Sequence, residues 1–392
     1  MKKKICFVIQ RYGVEINGGA EAYTRIYAEK LADVYDVTVL ASCALDYQEW
    51  KNHYPEGECR INGVTVHRFS VERQRDNATF GELTQKILNN PNHSPREAYE
   101  WIKAQGPLCP GLIDFIKQHE QDFELFLFFT YLYYPTVFGL KYARDKAVLV
   151  PFCHDEPYVY LHCFDELFNL PRGIIYNTEE EEEFVHRRFG NQAIPSILTG
   201  IGLDIPPLSA LPDGRERFRL KKPFILYMGR VDSAKGCSEL FEYFLEYKTR
   251  FNNDLQLVLM GNAVIPIPRH KDIVSLGFVS EEEKYAVLRE CDALVLPSHF
   301  ESLSIVVLEA FAFKKPVLVS GHCAVLKGHC TKSNAGLYFY GSEDFALCLD
   351  LLFGSGALRD AMGEKGAKYV DERYQWEIIM DKMTKFIEEQ TR

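Results

Sequence analysis

The chain has 392 residues, of which 47% are hydrophobic and 26% charged, and its formal net charge is −10 at pH 7. That length predicts two domains of ordinary size, and the acidic balance argues against a nucleic-acid partner. The apolar run after the basic residues 2–4 is too short for a signal peptide. The most apolar later segment, 123–138, is shorter than the ~20 residues of a membrane span. We therefore expect a cytoplasmic protein.

The eleven cysteines contain no C-x-x-C pair, and several of them lie within apolar runs. Buried thiols in a reducing compartment are therefore favoured over disulfides, and the spacing does not indicate a zinc site.

The first half of the chain alternates strands and helices as a parallel α/β domain does. A strand at Lys4–Ile9 is followed by a loop that ends in Gly18 and Gly19, an amphipathic helix at 20–32 and a strand at 37–41. The two glycines would let a ligand approach the backbone at the start of the helix; the alternative is a plain tight turn. Because G-x-G-x-x-G is absent, a dinucleotide fingerprint is not supported.

A buried strand at Val148–Phe152 delivers His154 at its carboxyl end, which is the ligand-binding edge of a parallel sheet. We interpret His154 as a substrate contact, with a loop cap as the alternative. Further along, Asn177 and Thr178 cap a helix that begins with the acidic run Glu179–Glu183. We expect that run to lie on a solvated face and to compensate the helix dipole.

Residues 205–223 are rich in Pro, Gly and charged side chains, which favours a linker. A second α/β series then begins with a strand at Phe224–Met228, followed by Gly229 and Arg230, and Lys235 lies in the next loop. Both cations follow the carboxyl end of a strand, where they could neutralise a diphosphate. The alternative is that they are solvated loop charges.

The stretch 297–312 combines two acids with a very apolar helix at 304–313. Glu309 lies within that helix and needs a partner if it is buried. Glu301 lies eight residues upstream, about 12 Å away at helical rise, near a helix start whose free N–H groups favour an anion. Hydroxyl-binding acids on either side of an anion site suit a nucleotide sugar. The alternative is a capping box from Ser298 to Glu301, with Glu309 paired to a core Lys or Arg.

In this order and at these spacings the motifs resemble those of the retaining glycosyltransferases of family 4, also called glycosyl transferases group 1, which have the GT-B fold. The resemblance covers nearly the whole chain and is densest from Phe224 to Gly321. It implies an α/β protein with two Rossmann-like, doubly wound domains that face each other across a cleft. The implied parts are an acceptor-side domain at 1–205, a linker at 206–222, a nucleotide-sugar domain at 223–370 and, at 371–392, a C-terminal helix that packs back on the N-terminal domain.

The resemblance also implies roles for individual residues. Arg230 and Lys235 would stabilise the departing diphosphate, Glu301 would hold hydroxyls of the transferred sugar, and His154 would lie at the sugar from the opposite domain. These four are the implied catalytic residues. The implied donor-binding residues are Gly18, Gly19, Gly229, Gly261, Phe278, Val279, Ser302, Leu303, Ser304 and Glu309, the last holding the ribose. Many members of the family have glycine where Ser302 and Ser304 stand.

The implied reaction is a metal-independent, hexosyltransferase-type transfer from a nucleotide sugar, with retention of configuration and no cofactor. The acceptor would be a saccharide or a lipid-linked molecule, in bacterial polysaccharide or glycolipid assembly, with at most peripheral contact at the inner face of the membrane. Two other functions stay open at this stage. One is a sugar-nucleotide epimerase with the GT-B fold, and the other is a non-catalytic nucleotide-sugar or glycan-binding protein.

Overall fold

A computed structural model describes residues 2–16, 18–251 and 253–391 and divides the chain into two compact units. One unit runs to Gly200 and takes in the chain from Met380 onward, and the other runs from Ile201 to Ile379. All eleven cysteines lie within the described residues and are free thiols, nine of them buried, as the sequence predicts.

The first unit is built on an eight-stranded sheet in the order β3-β4-β2-β1-β5-β6-β7-β8. Neighbouring strands are parallel except for the β3–β4 hairpin. Its central strands are buried on both faces, which explains their continuous apolar sequences. The strands are β1 (Lys4–Val8), β2 (Asp36–Ser42), β3 (Gly57–Ile61), β4 (Val64–Phe69), β5 (Leu125–Phe129), β6 (Ala147–Val150), β7 (Gly173–Tyr176) and β8 (Ser196–Leu198).

In the described residues, seven α-helices accompany this sheet. They are α1 (Gly19–Leu31), α2 (Asn77–Leu88), α3 (Pro95–Gln105), α4 (Pro110–His119), α5 (Tyr134–Gly139), α6 (Cys163–Leu167) and α7 (Glu179–Phe189). α2 and α3 are separate helices, because Ser94 and Glu97 form a capping box that starts a new helix at Pro95.

The acidic run at the start of α7 differs from the prediction at one residue. Thr178 caps the helix as expected, but Glu181 is 1% exposed rather than solvated. Its carboxylate accepts hydrogen bonds from the backbone N–H groups of Cys153, at 2.6 Å, and Asn177, at 2.7 Å. Glu181 therefore ties the segment after β6 to the end of β7, because only a buried acceptor can satisfy those two donors.

The second unit has a six-stranded sheet in the order β11-β10-β9-β12-β13-β14, parallel throughout. Its strands are β9 (Phe224–Met228), β10 (Gln256–Met260), β11 (Ile273–Gly277), β12 (Ala293–Leu296), β13 (Val317–Ser320) and β14 (Gly336–Phe339). Its helices are α8 (Gly214–Phe218), α9 (Cys237–Arg250), α10 (Glu281–Glu290), α11 (Ile305–Ala312), α12 (Ala324–Ser333), α13 (Ser342–Gly354) and α14 (Gly356–Arg373).

The stretch predicted as a linker, 206–222, lies inside the second unit. It contains α8, which packs on α10: a Cβ at Gly214 would collide with the Ala286 backbone, and Arg215 donates to the Glu290 carbonyl at 3.0 Å. Composition alone did not reveal this packing, because the contact needs a glycine rather than an apolar side chain.

The last helix, α15 (Trp376–Gln390), begins in the second unit and ends in the first. In the first unit, Phe386 packs directly against Gly173 of β7.

Among the described residues, no helix is long and apolar enough to span a bilayer.

Candidate functional site

All strands of the second sheet run in one direction, so the loops that follow them lie along a single edge. β9 lies between β10 and β12. Three neighbouring loops therefore carry Arg230 after β9, Gly261 after β10 and Glu301 after β12, with Phe278 after β11. The structure brings the predicted residues of this unit to one edge.

The glycines at the ends of β9 and β10 allow two loops to touch along their backbones. Gly229 and Gly261 have φ values of +143° and +136°, and a Cβ at Gly261 would collide with the Gly229 carbonyl oxygen. Just beyond them the Val231 N–H donates to the Asn262 carbonyl at 2.9 Å. These contacts fix the start of the loop that carries Arg230, and only glycine tolerates both the φ values and the closeness.

Lys235 ends a short 3₁₀ turn, Ser233–Lys235, capped by the Asp232 side chain, which accepts from the Ala234 N–H at 3.0 Å. The next residue, Gly236, has φ +73°, and a Cβ there would collide with the Pro297 carbonyl oxygen. This close approach holds the Lys235 turn against the loop after β12. As a result, Lys235 Nζ lies 2.8 Å from Glu301 Oε1.

Both cations at this edge are paired with acids and half-exposed. Arg230 Nη2 lies 2.7 Å from Asp232 Oδ2, and the side chains of Arg230 and Lys235 are each 38% exposed. An ion pair this accessible to water contributes little to stability and opens at low cost. An anionic ligand can therefore replace the acids as the partner of these cations.

Glu309 is buried in α11, as predicted, and its partner is a lysine. Its Oε1 accepts hydrogen bonds from Lys284 Nζ at 2.8 Å and from the Tyr285 hydroxyl at 3.0 Å. Burial would lower the pKa of Lys284, but the adjacent Glu309 carboxylate raises it above its ordinary value. The pairing with a core lysine is thus present. Both contacts use Oε1, and Oε2 accepts no hydrogen bond from the residues that the structure describes; ribose binding by Glu309 stays a prediction.

The proposed capping box from Ser298 to Glu301 is not formed, because α11 begins only at Ile305. Its N-cap residue is Ser304, in the left-handed region at φ +63°, and no side-chain bond caps the helix. The family's glycine at this position has a clear reason, since glycine adopts that conformation without strain. Ser302, the other position where the family has glycine, has no positive φ.

His329 is a residue of this site that the sequence did not indicate. It lies in α12, is 1% exposed, and its Nε2 is 2.7 Å from the carbonyl oxygen of Leu303. Its Nδ1 lies 3.2 Å from the Tyr369 hydroxyl. A single histidine in a mixed helix carries no signal in the sequence, and only the packing of α12 against the loop reveals its contact.

In the first unit, Gly18 caps α1 and Gly19 is its first residue. Gly18 has an ordinary φ of −76°, so a left-handed turn is not its function. A Cβ there would instead collide with the carboxylate of Glu21, which is buried and accepts from Arg11 Nε at 3.0 Å and Gln10 Nε2 at 3.1 Å. The glycine leaves room for a buried ion pair that sequence reasoning missed.

His154 follows β6 at the carboxyl edge of the first sheet, as predicted. Its Nδ1 lies 3.5 Å from Glu156 Oε1, and that same oxygen accepts a hydrogen bond from the Tyr131 hydroxyl at 2.6 Å. The acid is held in place beside the imidazole, which limits the orientations of the ring. Substrate contact by His154 stays a prediction.

Within the described parts of the chain, no group of three or more His, Cys, Asp or Glu side chains is arranged to hold a metal ion.

Residues 213–369, which include every predicted site residue of the second unit, match the family model described as Glycosyl transferases group 1. This segment of the chain is similar to the group 1 glycosyltransferases. The α-D-kanosaminyltransferase of Streptomyces kanamyceticus is 27% identical to the chain over 187 residues, which is 43% of this chain and 46% of the relative. The chain thus aligns with less than half the length of the curated relatives that it matches.

Solved structures resemble the fold of this chain over 99% of its length. Sucrose-phosphate synthase from Thermosynechococcus elongatus superposes with a TM-score of 0.73 at 17% identity, covering 99% of both chains. HepE from Anabaena, in complex with UDP and glucose, gives a TM-score of 0.70 at 14% identity and covers 99% of this chain and all of its own. At such identities the likeness establishes the fold alone, and this chain has the GT-B fold that the sequence predicts.

Proposed function

We propose that the protein transfers a sugar from a nucleotide-sugar donor to a hydroxyl group of an acceptor, with retention of the anomeric configuration. The observation that carries the proposal is the Lys235–Glu301 pair, 2.8 Å apart at the carboxyl edge of an all-parallel sheet, with Arg230 in the same loop as Lys235. A donor offers the two things that this pair can bind separately, a diphosphate for the lysine and sugar hydroxyls for the glutamate.

The diphosphate is the part of the donor that the cations would bind. Lys235 would leave Glu301 and Arg230 would leave Asp232 when the phosphates arrive, since both cations are 38% exposed and such pairs contribute little to stability. The guanidinium offers two parallel donors and the ammonium a point charge. As the anomeric C–O bond breaks, negative charge grows on the diphosphate, and both cations stabilise the transition state there.

The two glutamates would hold the sugar and ribose ends of the donor. Glu301, released by Lys235, accepts from hydroxyls of the transferred sugar, and Glu309 accepts from the ribose through Oε2. The N–H groups of Leu303 and Ser304 add donors for the phosphates. The backbone at Phe278 and Val279 faces the base.

Retention needs the acceptor to attack from the face that the diphosphate leaves. We propose that the acceptor hydroxyl forms its bond to the anomeric carbon on that face while its proton passes to an oxygen of the departing phosphate. No metal is required, because Arg230, Lys235 and the helix start supply the charge. The first unit would bind the acceptor, a saccharide or lipid-linked molecule, with peripheral membrane contact at most, in polysaccharide or glycolipid assembly.

A panel of UDP-, GDP-, ADP- and dTDP-sugars tests the proposal through thermal shift and nucleotide release, with EDTA present. We expect slow hydrolysis of one donor, lost in Lys235→Ala and Glu301→Gln. Lys222→Ala is a matched control, because Lys222 is 35% exposed, pairs with Asp272 at 3.0 Å and lies before β9, at the opposite edge of the same sheet. Its activity should match that of the native protein.

Three outcomes would contradict the transfer reaction. If no donor gives a response, the protein has no nucleotide-sugar site. Epimerised donor in the product favours the sugar-nucleotide epimerase, and tight binding without nucleotide release favours a non-catalytic binding protein.

A further inference from the structure

The turn between Leu303 and α11 holds a serine in a conformation that serine does not favour. Ser304 has φ +63° and ψ +72°, in the left-handed region. Its hydroxyl is buried and has no hydrogen-bond partner within the described residues, so the side chain does not compensate for the backbone. Something else must hold this turn, because other backbone states are lower in energy for a residue with a Cβ.

His329 makes the contact that holds it. The Leu303 carbonyl, which belongs to the peptide bond leading into Ser304, accepts a hydrogen bond from His329 Nε2 at 2.7 Å. Because a carbonyl only accepts, Nε2 carries the hydrogen and Nδ1 accepts from the Tyr369 hydroxyl at 3.2 Å. Tyr369 in turn lies 3.4 Å from the Tyr374 hydroxyl. Two side chains of the α14 segment thus fix the ring that fixes the turn.

The imidazole is suited to act as a permanent donor. His329 is almost completely buried, and burial lowers its pKa to about 4. At neutral pH it therefore stays uncharged and keeps a single N–H, which the carbonyl of Leu303 receives.

We propose that His329 is a positioning residue for the donor diphosphate: it holds the Leu303–Ser304 turn in the left-handed state that binds the phosphates. The proposal rests on the proposed function for the place where the diphosphate binds. A glycine at position 304 would hold the same turn without help. In this chain position 304 is a serine, and the hydrogen bond from His329 of α12 offsets the cost of its left-handed conformation.

Loss of His329 would lower the fraction of molecules with the turn in place. The apparent dissociation constant equals the intrinsic one divided by the competent fraction. From the usual cost of a left-handed residue, we expect His329→Leu to raise the Kd and KM for the donor about tenfold. Saturating donor restores the turn, so kcat should stay within about twofold.

The decisive experiment combines His329→Leu with Ser304→Gly. Isothermal titration with UDP, GDP, ADP and dTDP in turn gives Kd for each protein, and nucleotide release gives KM and kcat for the active donor. We expect the roughly tenfold loss in His329→Leu to shrink to about twofold or less when position 304 is glycine. His329→Gln, which keeps an N–H at the reach of Nε2, should rescue Kd in the native serine background.

Ser333→Ala is the control for an unspecific loss of packing. Ser333 lies in the same helix and bonds the His329 carbonyl at 2.6 Å and the Ala335 N–H at 3.0 Å, so its removal weakens α12 without touching the turn. It should lower the melting temperature and leave Kd unchanged. An equal loss of affinity in His329→Leu with either residue at 304 would overturn the proposal. If the native protein binds none of the four nucleotides, the proposed function fails instead.

Discussion

The two sheets carry the same kind of ion pair at their carboxyl edges, but the cation is buried in one pair and partly exposed in the other. In the first unit, Arg11 and Glu21 are 10% and 8% exposed, joined at 2.5 Å, and the guanidinium lies over the rings of Tyr47 and Trp50. In the second unit, Lys235 is 38% exposed and bonds Glu301 at 2.8 Å. One cation is enclosed by protein, and the other faces water.

This difference separates a pair enclosed in the fold from a pair whose cation is open to a ligand. The hydrogen bonds of Arg11 lie inside the fold. Its Nη1 donates to the Leu45 carbonyl at 2.8 Å, and its Nε and Nη2 both donate to Glu21. Glu21 is enclosed by the same contacts, so the pair is not open to an exchange of partners. Lys235 has one acid as its partner and water on the other side, so exchanging Glu301 for a phosphate costs little. Burial, rather than charge or sheet position, distinguishes the two.

Removal of Arg11 should give the largest effect on stability. Arg11→Met leaves the Glu21 carboxylate buried without its cation, which costs about 3–5 kcal/mol of unfolding free energy. Urea denaturation followed by tryptophan fluorescence measures this loss, because Trp50 and Trp101 both lie in the first unit. The double variant Arg11→Met with Glu21→Gln should lose clearly less than the single one. Equal losses would show that the charge of Glu21 is not the cause.

Removal of Lys235 should have the opposite signature, a large loss of rate with little loss of stability. Lys235→Ala should lower donor hydrolysis about 10²–10³-fold, as the loss of one transition-state donor usually does, and change the unfolding free energy by less than about 0.5 kcal/mol. Initial rates of nucleotide release and urea denaturation measure the two quantities. A stability loss as large as that of Arg11→Met would place Lys235 in the structural class.

The sequence located the residues of the exposed edge better than it located the buried contacts, and the reason is physical. Glycines that follow strands, such as Gly229 and Gly261, mark the loops at which backbones meet, so the edge carrying Arg230 and Lys235 could be found from spacing. The partner of Glu309 could not, because Lys284 is 25 residues upstream on another helix.

Burial of single polar residues also depends on tertiary packing. Glu181 belongs to a run of five acids, and nothing in the run distinguishes the one that is buried. The contact between His329 and Leu303 joins a helix to a loop 26 residues away. The strand at Phe224–Met228, by contrast, was predicted to the residue, since continuous apolar runs identify buried parallel strands.

One buried group in each unit should make stability respond to acid in opposite directions, an effect of intermediate size. In the second unit, burial lowers the pKa of His329 to about 4, with Lys332 and Arg373 adding to the shift. The folded state then holds fewer protons than the unfolded state between about pH 4 and 6.5, so stability falls as pH falls. In the first unit, burial raises the pKa of Glu181 to about 8. There the folded state holds more protons between about pH 4.5 and 8, so stability rises as pH falls.

Urea denaturation at pH 7.5 and pH 5 of the native protein, His329→Gln and Glu181→Gln separates the two contributions. Relative to His329→Gln, the native protein should lose about 2 kcal/mol between these pH values. Relative to Glu181→Gln, it should gain stability over the same interval. A pH-independent difference in the first comparison would show that His329 titrates normally in the folded protein.

The smallest expected effect compares the two serines that stand where the family has glycine. Ser304→Gly removes the cost of a left-handed L-residue and a buried hydroxyl without a partner among the described residues, so it should stabilise the protein by about 1 kcal/mol. Ser302→Gly is the matched control two residues away. Its backbone has no positive φ, so glycine there only adds freedom to the unfolded chain and should cost up to about 1 kcal/mol. Urea midpoints of the two variants should therefore move in opposite directions. If both move the same way, the left-handed turn at Ser304 is not the strained element of this edge.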